Sequence, residues 1–343
     1  MQMRSLGKSD LQASAVGLGT WAMGGWMWGG TNEREAIEAI HASIDAGVNL
    51  LDTAPIYGFG LSEEIVGKAV RDRRDQVLLA TKCGMVCNTM DGEHKFTSNA
   101  QGPDPLGHID IRTNLRPDSI RQEVEASLRR LQTDRVDLLQ PHWQESTTPI
   151  ADTMGVMMEL KQEGKIRGIG VCNATTPQLR QYVRAGDLLS DQELYSMLDR
   201  GIEGEQLPYC RREKIAVLAY SPLVRGLLTG KVGRNREFAE GDLRRSDPRF
   251  SVENRGHVAA MLERFQPIAE HHGLTQSQLA IAWTIAQPGL THALCGARNR
   301  RQALENAAAG DVELAAEELR VMNEAIEACV AAMAGEEPVT AQR

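Results

Sequence analysis

No apolar run in this chain approaches the ~18 residues that a membrane-spanning helix needs. The first residues, Met1-Gln2-Met3-Arg4-Ser5-Leu6-Gly7-Lys8, lack the apolar core of a secretory signal, so a cytoplasmic protein is expected. No low-complexity linker divides the 343 residues; one domain spanning 1–343 is expected, with 335–343 as a frayed tail. Cysteine is scarce: the six, at 83, 87, 172, 210, 295 and 329, fall mostly within or beside apolar runs, as reduced buried thiols do. Cys83-x3-Cys87, with His94 and His108 nearby, has a spacing zinc could use, but no second cysteine pair follows and no metal is expected. Positive charge is short as well. A formal net charge of −8 leaves no basic stripe to displace counterions from phosphates, which argues against a nucleic-acid partner.

Three nucleotide and nucleophile motifs are absent. There is no Gly-x-Gly-x-x-Gly between an early strand and helix, no Gly-x-x-x-x-Gly-Lys-Ser/Thr, and no Gly-x-Ser-x-Gly elbow. Gly168-Ile169-Gly170 runs on into Val171, Cys172 and Asn173, and reads as strand glycine admitting a close neighbour. A nucleotide, if bound, must be held in another way.

What is present is alternation, over a 42% apolar composition that suffices for a sizeable core. A small hairpin over 3–14 precedes a first strand at 15–20, and could plug the bottom of a barrel. Residues 21–30 are too glycine-rich for a regular element and hold three of the five tryptophans. Thereafter helices are predicted at 31–46 (capped by Thr31), 62–70 (capped by Ser62), 117–131, 149–164, 176–185, 257–272, 275–286, 299–309 and 315–332. Strands are predicted at 49–52, 77–82, 136–142, 165–171, 193–197, 215–220 and 290–295, with a short helix before 215. Two long polar segments, 83–116 and 223–255, read as functional or mobile loops. Eight strands each followed by a helix make an α/β protein, a (β/α)8 TIM barrel with an N-terminal β-hairpin and an extra C-terminal helix.

Chemistry collects at the strand ends. Asn49-Leu50-Leu51-Asp52 closes on a carboxylate, and a Pro/Gly turn presents Tyr57; Val77 to Lys82 and Val136 to His142 close alike. Asp52, Tyr57, Lys82 and His142 thus reach one barrel mouth from distant sequence positions. A lysine ammonium beside a tyrosine stabilises phenolate and lowers its pKa, and an aspartate keeps that lysine charged. The tyrosine becomes an acid usable near neutrality, and a histidine can bond a carbonyl oxygen as it gains charge. Barrels often hold phosphate after their seventh and eighth strands, and here those loops carry Ser221, Leu223, Arg225, Gly226, Gly230 and Lys231, then Gly296, Arg298, Arg300 and Arg301. Trp21, Trp26, Met27, Trp28 and Trp143, with Tyr57, His142 and the two long segments, are expected to wall the substrate pocket.

At this point the chain resembles a bacterial aldo-keto reductase, from about Arg4 to Asn306. The matching motifs are Gly17-Leu18-Gly19-Thr20-Trp21, Asp52-Thr53-Ala54-x-x-Tyr57-Gly58, Ser62-Glu63-x-x-x-Gly67, Ala80-Thr81-Lys82, Gly164-Lys165-Ile166-Arg167-x-x-Gly170-Val171, Ala219-Tyr220-Ser221-Pro222-Leu223 and Gly296-Ala297-Arg298. The resemblance implies a catalytic tetrad of Asp52, Tyr57, Lys82 and His142, and NADPH or NADP+ as cofactor. It implies cofactor contacts at Gly19, Thr20, Trp21, Asp52, Cys172 and Gly296. Asn173 and Gln192 would bond the carboxamide, and Tyr220 would stack on the nicotinamide. Ser221, Leu223, Gly226 and Lys231 would surround the pyrophosphate, with Arg298, Gln302, Glu305 and Asn306 at the adenosine end. Cys172 stands where the family usually has serine, and a thiol is the weaker partner. The implied function is reduction of a small-molecule carbonyl substrate to an alcohol. Two other classes share parts of this pattern: an NADP-binding redox-sensing partner subunit, in which asparagine typically replaces the histidine, and a Schiff-base barrel isomerase or lyase using Lys82.

Overall fold

The computed structural model describes residues 1–87, 89–98, 109–238 and 242–334; the expected frayed tail, and His108, lie outside them. The chain opens with the antiparallel hairpin β1 (Met3–Ser5) and β2 (Gln12–Ser14). Leu6, Leu11 and Ala13 of this hairpin are buried against Leu50, Leu138 and Leu218, closing the lower end of the barrel as expected. There follow β3 (Val16–Gly19), α1 (Glu33–Asp45), β4 (Leu50–Asp52), α2 (Leu61–Val70) and β5 (Leu78–Cys83). Next come β6 (Met85–Val86), β7 (Glu93–Ser98), β8 (Ile109–Thr113), α3 (Pro117–Leu131), β9 (Val136–Pro141), α4 (Ile150–Gln162), β10 (Ile166–Cys172) and α5 (Thr176–Ala185). The rest is β11 (Leu188–Leu194), α6 (Gln206–Glu213), β12 (Ala216–Tyr220), α7 (Val252–His272), α8 (Gln276–Ala286), β13 (His292–Gly296), α9 (Arg300–Ala307) and α10 (Ala316–Ala334).

Strands β3, β4, β5, β9, β10, β11, β12 and β13 close into a parallel barrel in that order, and β13 returns to β3. The register sets Gly19 beside Asp52, Asp52 beside Ala80, and Lys82 beside Gln140. Helix α3 shows why the ring forms where it does. Pro117 occupies its first turn, where the missing N–H costs nothing, and Ile120, Val124, Leu128 and Leu131 repeat at helical spacing as its buried face. Helix α8 starts at a capping box, with Thr275 N donating to Gln278 Oε1 at 2.8 Å and Gln278 N to Thr275 Oγ1 at 3.3 Å.

Several boundaries differ from expectation. Asn32, not Thr31, caps α1, because its carboxamide oxygen accepts from Glu35 N at 3.2 Å. Gly60, at φ +103°, precedes α2, and Ser62 lies inside that helix with its hydroxyl 2.7 Å from Thr20 Oγ1 and 3.0 Å from Thr53 Oγ1. Residues Trp21–Gly24 form a turn of 3-10 helix despite their glycines. The 83–116 segment is no mere loop: β6, β8 and β7 pair as a small antiparallel sheet. Strand β11 begins at Leu188 rather than 193, since Ser190, Asp191, Gln192 and Glu193 are buried polar residues in its middle. Helix α7 begins at Val252 rather than 257, and short 3-10 turns at Val224–Thr229, Leu243–Arg245 and Pro248–Phe250 occupy the preceding excursion.

Candidate active site

Adjacency of β4, β5 and β9 brings the expected four together. Lys82, near the end of β5, is the hub: its Nζ donates to Asp52 Oδ1 at 2.6 Å, to Thr53 O at 3.0 Å and to Tyr57 Oη at 3.1 Å. Asp52 and Lys82 are 3% and 1% exposed, so the pair is removed from water and Asp52 offsets the burial of the Lys82 ammonium. The second oxygen of Asp52 accepts from Gln192 Nε2 at 2.8 Å and from Gln140 Nε2 at 3.4 Å. Sequence reading missed Gln140 and gave Gln192 to the nicotinamide; its inward position beside Asp52 depends on the neighbouring strands. Tyr57 is fixed by a backbone crossing. Gly58 has φ +67°, and a Cβ there would lie 2.1 Å from Gly24 O, so only glycine fits beside the tyrosine. His142 follows β9, with its ring centroid 5.7 Å from that of Tyr57 at 79°.

The electrostatics modify one expectation. Part of the Tyr57 side chain is accessible, but its hydroxyl lies among buried groups. Burial pushes Tyr57 up to about 12, and the Lys82 charge works against that push without overcoming it. Tyr57 therefore carries its proton throughout the physiological range, rather than being tuned down toward neutrality. For Lys82 burial disfavours the charge, yet the Asp52 and Tyr57 oxygens outweigh it and hold the ammonium above its ordinary value. Burial, then the Lys82 charge, hold His142 well below the usual imidazole range, so it is neutral. Among the described residues His142 Nδ1 is buried and has no hydrogen-bond partner, while the backbone carbonyl of His142 accepts from Asn173 Nδ2 at 2.9 Å.

Several residues expected to hold the cofactor lie at or just after the ends of β10, β12 and β13. Asn173 adopts φ +54°, and its Oδ1 accepts from Tyr220 Oη at 2.9 Å. Cys172 is buried, and burial pushes its thiol well above the ordinary range, so it is a neutral neighbour of Lys82. After β12 the backbone is strained: Ser221, Val224, Arg225 and Gly226 have φ of +57°, +47°, +51° and +93°. A left-handed β-branched residue is an outlier that persists only where surrounding structure enforces it, and such strain collects at ligand sites. No heavy atom lies within 4 Å of where a Cβ on Gly226 would point, so the turn leaves an open face. Such a turn, with glycine at its tip, suits a pyrophosphate, and the residues present fit a dinucleotide.

Across that face, Lys231 Nζ bonds both oxygens of Glu305 at 3.1 Å, and Arg301 reaches Glu305 Oε2 at 3.6 Å. Arg300 instead exerts its charge on Asp45 of α1. Arg298 has no acid partner among the described residues; its guanidinium donates to Gly30 O at 3.0 Å and Trp28 O at 3.4 Å. Gln302 Oε1 accepts from Arg298 N at 2.8 Å, and Asn306 Nδ2 donates to Gly296 O at 3.0 Å, so α9 braces this loop from behind. Thr20 is fully buried, with its hydroxyl on Asp52 O at 3.0 Å, and supports the site from a layer below. Gly19 ends β3, where it pairs with Gly296 and with Asp52.

The tryptophans expected to wall the pocket fall in three groups. Trp21 lies 6.3 Å from Tyr57 and 5.3 Å from Trp28; Trp26 packs on Phe59 at 4.9 Å and stacks on Phe96 at 6.4 Å; Trp143 joins Met85, Ile56 and Ile111. Phe59, Phe96 and Ile111 were missed, the last two because their segment reads as polar loop. In the described part of 223–255, Phe238 packs against Phe250 at 5.4 Å, outside the apolar cluster around Tyr57. The six cysteines are free thiols, five of them buried. No helix among the described residues is long and apolar enough to cross a membrane.

The Aldo/keto reductase family model matches residues 15–327. The chain is 41% identical over 334 residues to the NADH-specific methylglyoxal reductase of Escherichia coli (strain K12), covering 96% of this chain and 99% of that protein. Among solved structures it is similar to the glycerol dehydrogenase of Gluconobacter oxydans, with TM-score 0.85 and 35% identity over 99% of this chain and 98% of the other. It is also similar to an aldo-keto reductase of Klebsiella pneumoniae solved with NADPH, with TM-score 0.68 and 30% identity over 94% and 95%.

Proposed function

The chain belongs to the aldo/keto reductase family, and on that premise we propose that it reduces aldehydes or ketones to alcohols, with Tyr57 as the proton donor. The observation that carries this reading is the Lys82 ammonium, which touches Asp52 on one side and the Tyr57 hydroxyl on the other. A bound nicotinamide cofactor supplies the hydride. Tyr57 and neutral His142 face each other across the mouth, so a carbonyl oxygen between them can accept from both. As that oxygen gains charge, the Tyr57 proton passes to it, and Lys82 Nζ, 3.1 Å away, stabilises the phenolate left behind. Asp52, braced by Gln192 and Gln140, keeps the ammonium in place. The same held charge disfavours the Schiff-base alternative, which needs a neutral lysine.

For the cofactor we infer NADP(H). Arg298, at the adenosine end, has no acid partner among the described residues and lies beside the glycine turn after β13, and a guanidinium suits a 2′-phosphate. A second reading, NADH, is favoured by Glu305, a carboxylate on the same face that can accept from a ribose hydroxyl, and by the NADH specificity of the Escherichia coli relative. Oxidation of NADPH and NADH followed by absorbance against methylglyoxal, aromatic aldehydes, ketones and sugars tests both points. No turnover with any carbonyl would remove the reductase reading; turnover with NADH alone would remove the NADP(H) reading.

A further inference from the structure

The small sheet that packs beside Tyr57, Trp26 and Trp143 carries a charge the proposed reaction itself does not use. In the β7–β8 pairing His94 lies opposite Arg112 and Phe96 opposite Ile111, so Lys95 is the extra residue of a β-bulge. Bulges bend a strand and re-aim side chains, often beside active sites. Here the bulge lets neighbouring residues face the same way: Phe96 stacks on Trp26, and Lys95 Nζ sits 3.8 Å from the ring centroid of Trp143. Trp143 directly follows His142 and packs in the same apolar patch as Tyr57. Glu93, whose charge acts on Lys95, has its carboxylate on Ser146, accepting from N at 3.0 Å and from Oγ at 3.3 Å. Among the described residues no carboxylate pairs with Lys95 within 4.0 Å. A half-buried ammonium held on an aromatic face keeps hydrogens directed away from the ring, free for an anion.

We propose that Lys95 is the specificity-determining cation of the substrate pocket, and that the substrate is a carbonyl compound bearing an anionic group, carboxylate or phosphate, away from the reacting carbon. The inference rests on the carbonyl-reductase reading and adds a substrate class to it. The pocket then has two poles: the Tyr57–His142 end takes the carbonyl oxygen, the Lys95–Trp143 edge takes the anion, and the tryptophan wall covers the apolar body between them.

The test compares kcat/KM for 4-carboxybenzaldehyde, 4-formylphenyl phosphate and the uncharged methyl 4-formylbenzoate in wild type, Lys95→Met and Lys95→Arg. Wild type should favour the anionic aldehydes by roughly ten-fold, as a charged hydrogen bond permits, and added salt should narrow that ratio. Lys95→Met should bring the ratio close to one, chiefly through KM for the anionic aldehydes, and Lys95→Arg should restore much of it. Whichever anionic aldehyde is preferred identifies the group. A wild-type ratio near one that salt does not alter, or a ratio unchanged in Lys95→Met because all three substrates fall together, would show that Lys95 only pins the sheet to Trp143 and would overturn the proposal. Failure of wild type to reduce any of the three, or any other carbonyl, would overturn the reductase reading itself.

Discussion

Two buried carboxylates, one at each end of the barrel, have similar partners and opposite consequences. At the lower end Asp137, the second residue of β9, is 1% exposed and bonds Arg74 Nη2 and Arg167 Nη1, each at 2.9 Å, and Leu79 N at 2.9 Å. Its cations come from outside: the Arg74 and Arg167 side chains are 15% and 43% exposed. At the upper end the cation is itself buried, and Lys82 keeps one donor for the Tyr57 hydroxyl. The lower cluster is closed on itself and ties β5, β9 and β10 together. The upper one uses all three Lys82 N–H bonds and ends at the Tyr57 hydroxyl, the acid of the proposed reaction, in keeping with the division of barrels into a stability face and a catalytic face.

The sharpest break in this comparison is Tyr57→Phe, which should lower kcat by ~10²-fold or more while cofactor affinity, read by fluorescence titration, stays near wild type. Lys82→Met should be comparably inactive, because the phenolate loses its stabilising charge. The pH profile sharpens the same point. With Tyr57 pushed up to about 12 and His142 neutral, the donor is protonated and the imidazole unchanged across the neutral range, so reduction should hold level there and decline only as alkaline pH removes the Tyr57 proton. A steep fall between about pH 6 and 8 would mean that another group gates the step.

Asp137→Ala should act on the other quantity. Removing the acid leaves two cations and a buried N–H without their acceptor, costing about 3 kcal/mol in a denaturant melt, with kcat of the folded enzyme largely kept. Loss of activity without loss of stability would erase the distinction between the two ends. Arg298→Ala should change the NADPH/NADH Kd ratio by about ten-fold at the expense of NADPH, and an unchanged ratio would assign the 2′-phosphate elsewhere. The smallest effect is expected for Trp26→Ala, which removes one ring of the proposed pocket wall: KM for bulky carbonyls should rise roughly five-fold, and that for small aldehydes less.

Local signals were enough for much of this protein. Apolar runs closing on Asp52, Lys82 and His142 are visible in the chain because a barrel strand buried on both faces is a continuous apolar segment, and the polar residue that ends it marks the mouth. Helices α3 and α5 lie where their first-turn prolines and apolar spacing put them. What was not legible depends on partners far away in sequence. Strand β11 reads as polar until Gln192 meets Asp52, Asp191 accepts from Gln206 at 2.7 Å and Glu193 accepts from Ala174 N at 2.8 Å. The β6–β8 sheet hides in a polar segment because only one of its faces meets apolar side chains, and the bulge at Lys95 interrupts the alternation that would reveal it. The amino-acid order by itself determined the alternation of elements, and hence which four side chains meet at the mouth. Only the tertiary structure decided how acidic Tyr57 is, what Gln140 and Gln192 hold, and that Arg298 and Lys95 have no acid paired with them among the described residues, because burial and pairing are properties of neighbours that the chain brings together only when the barrel closes.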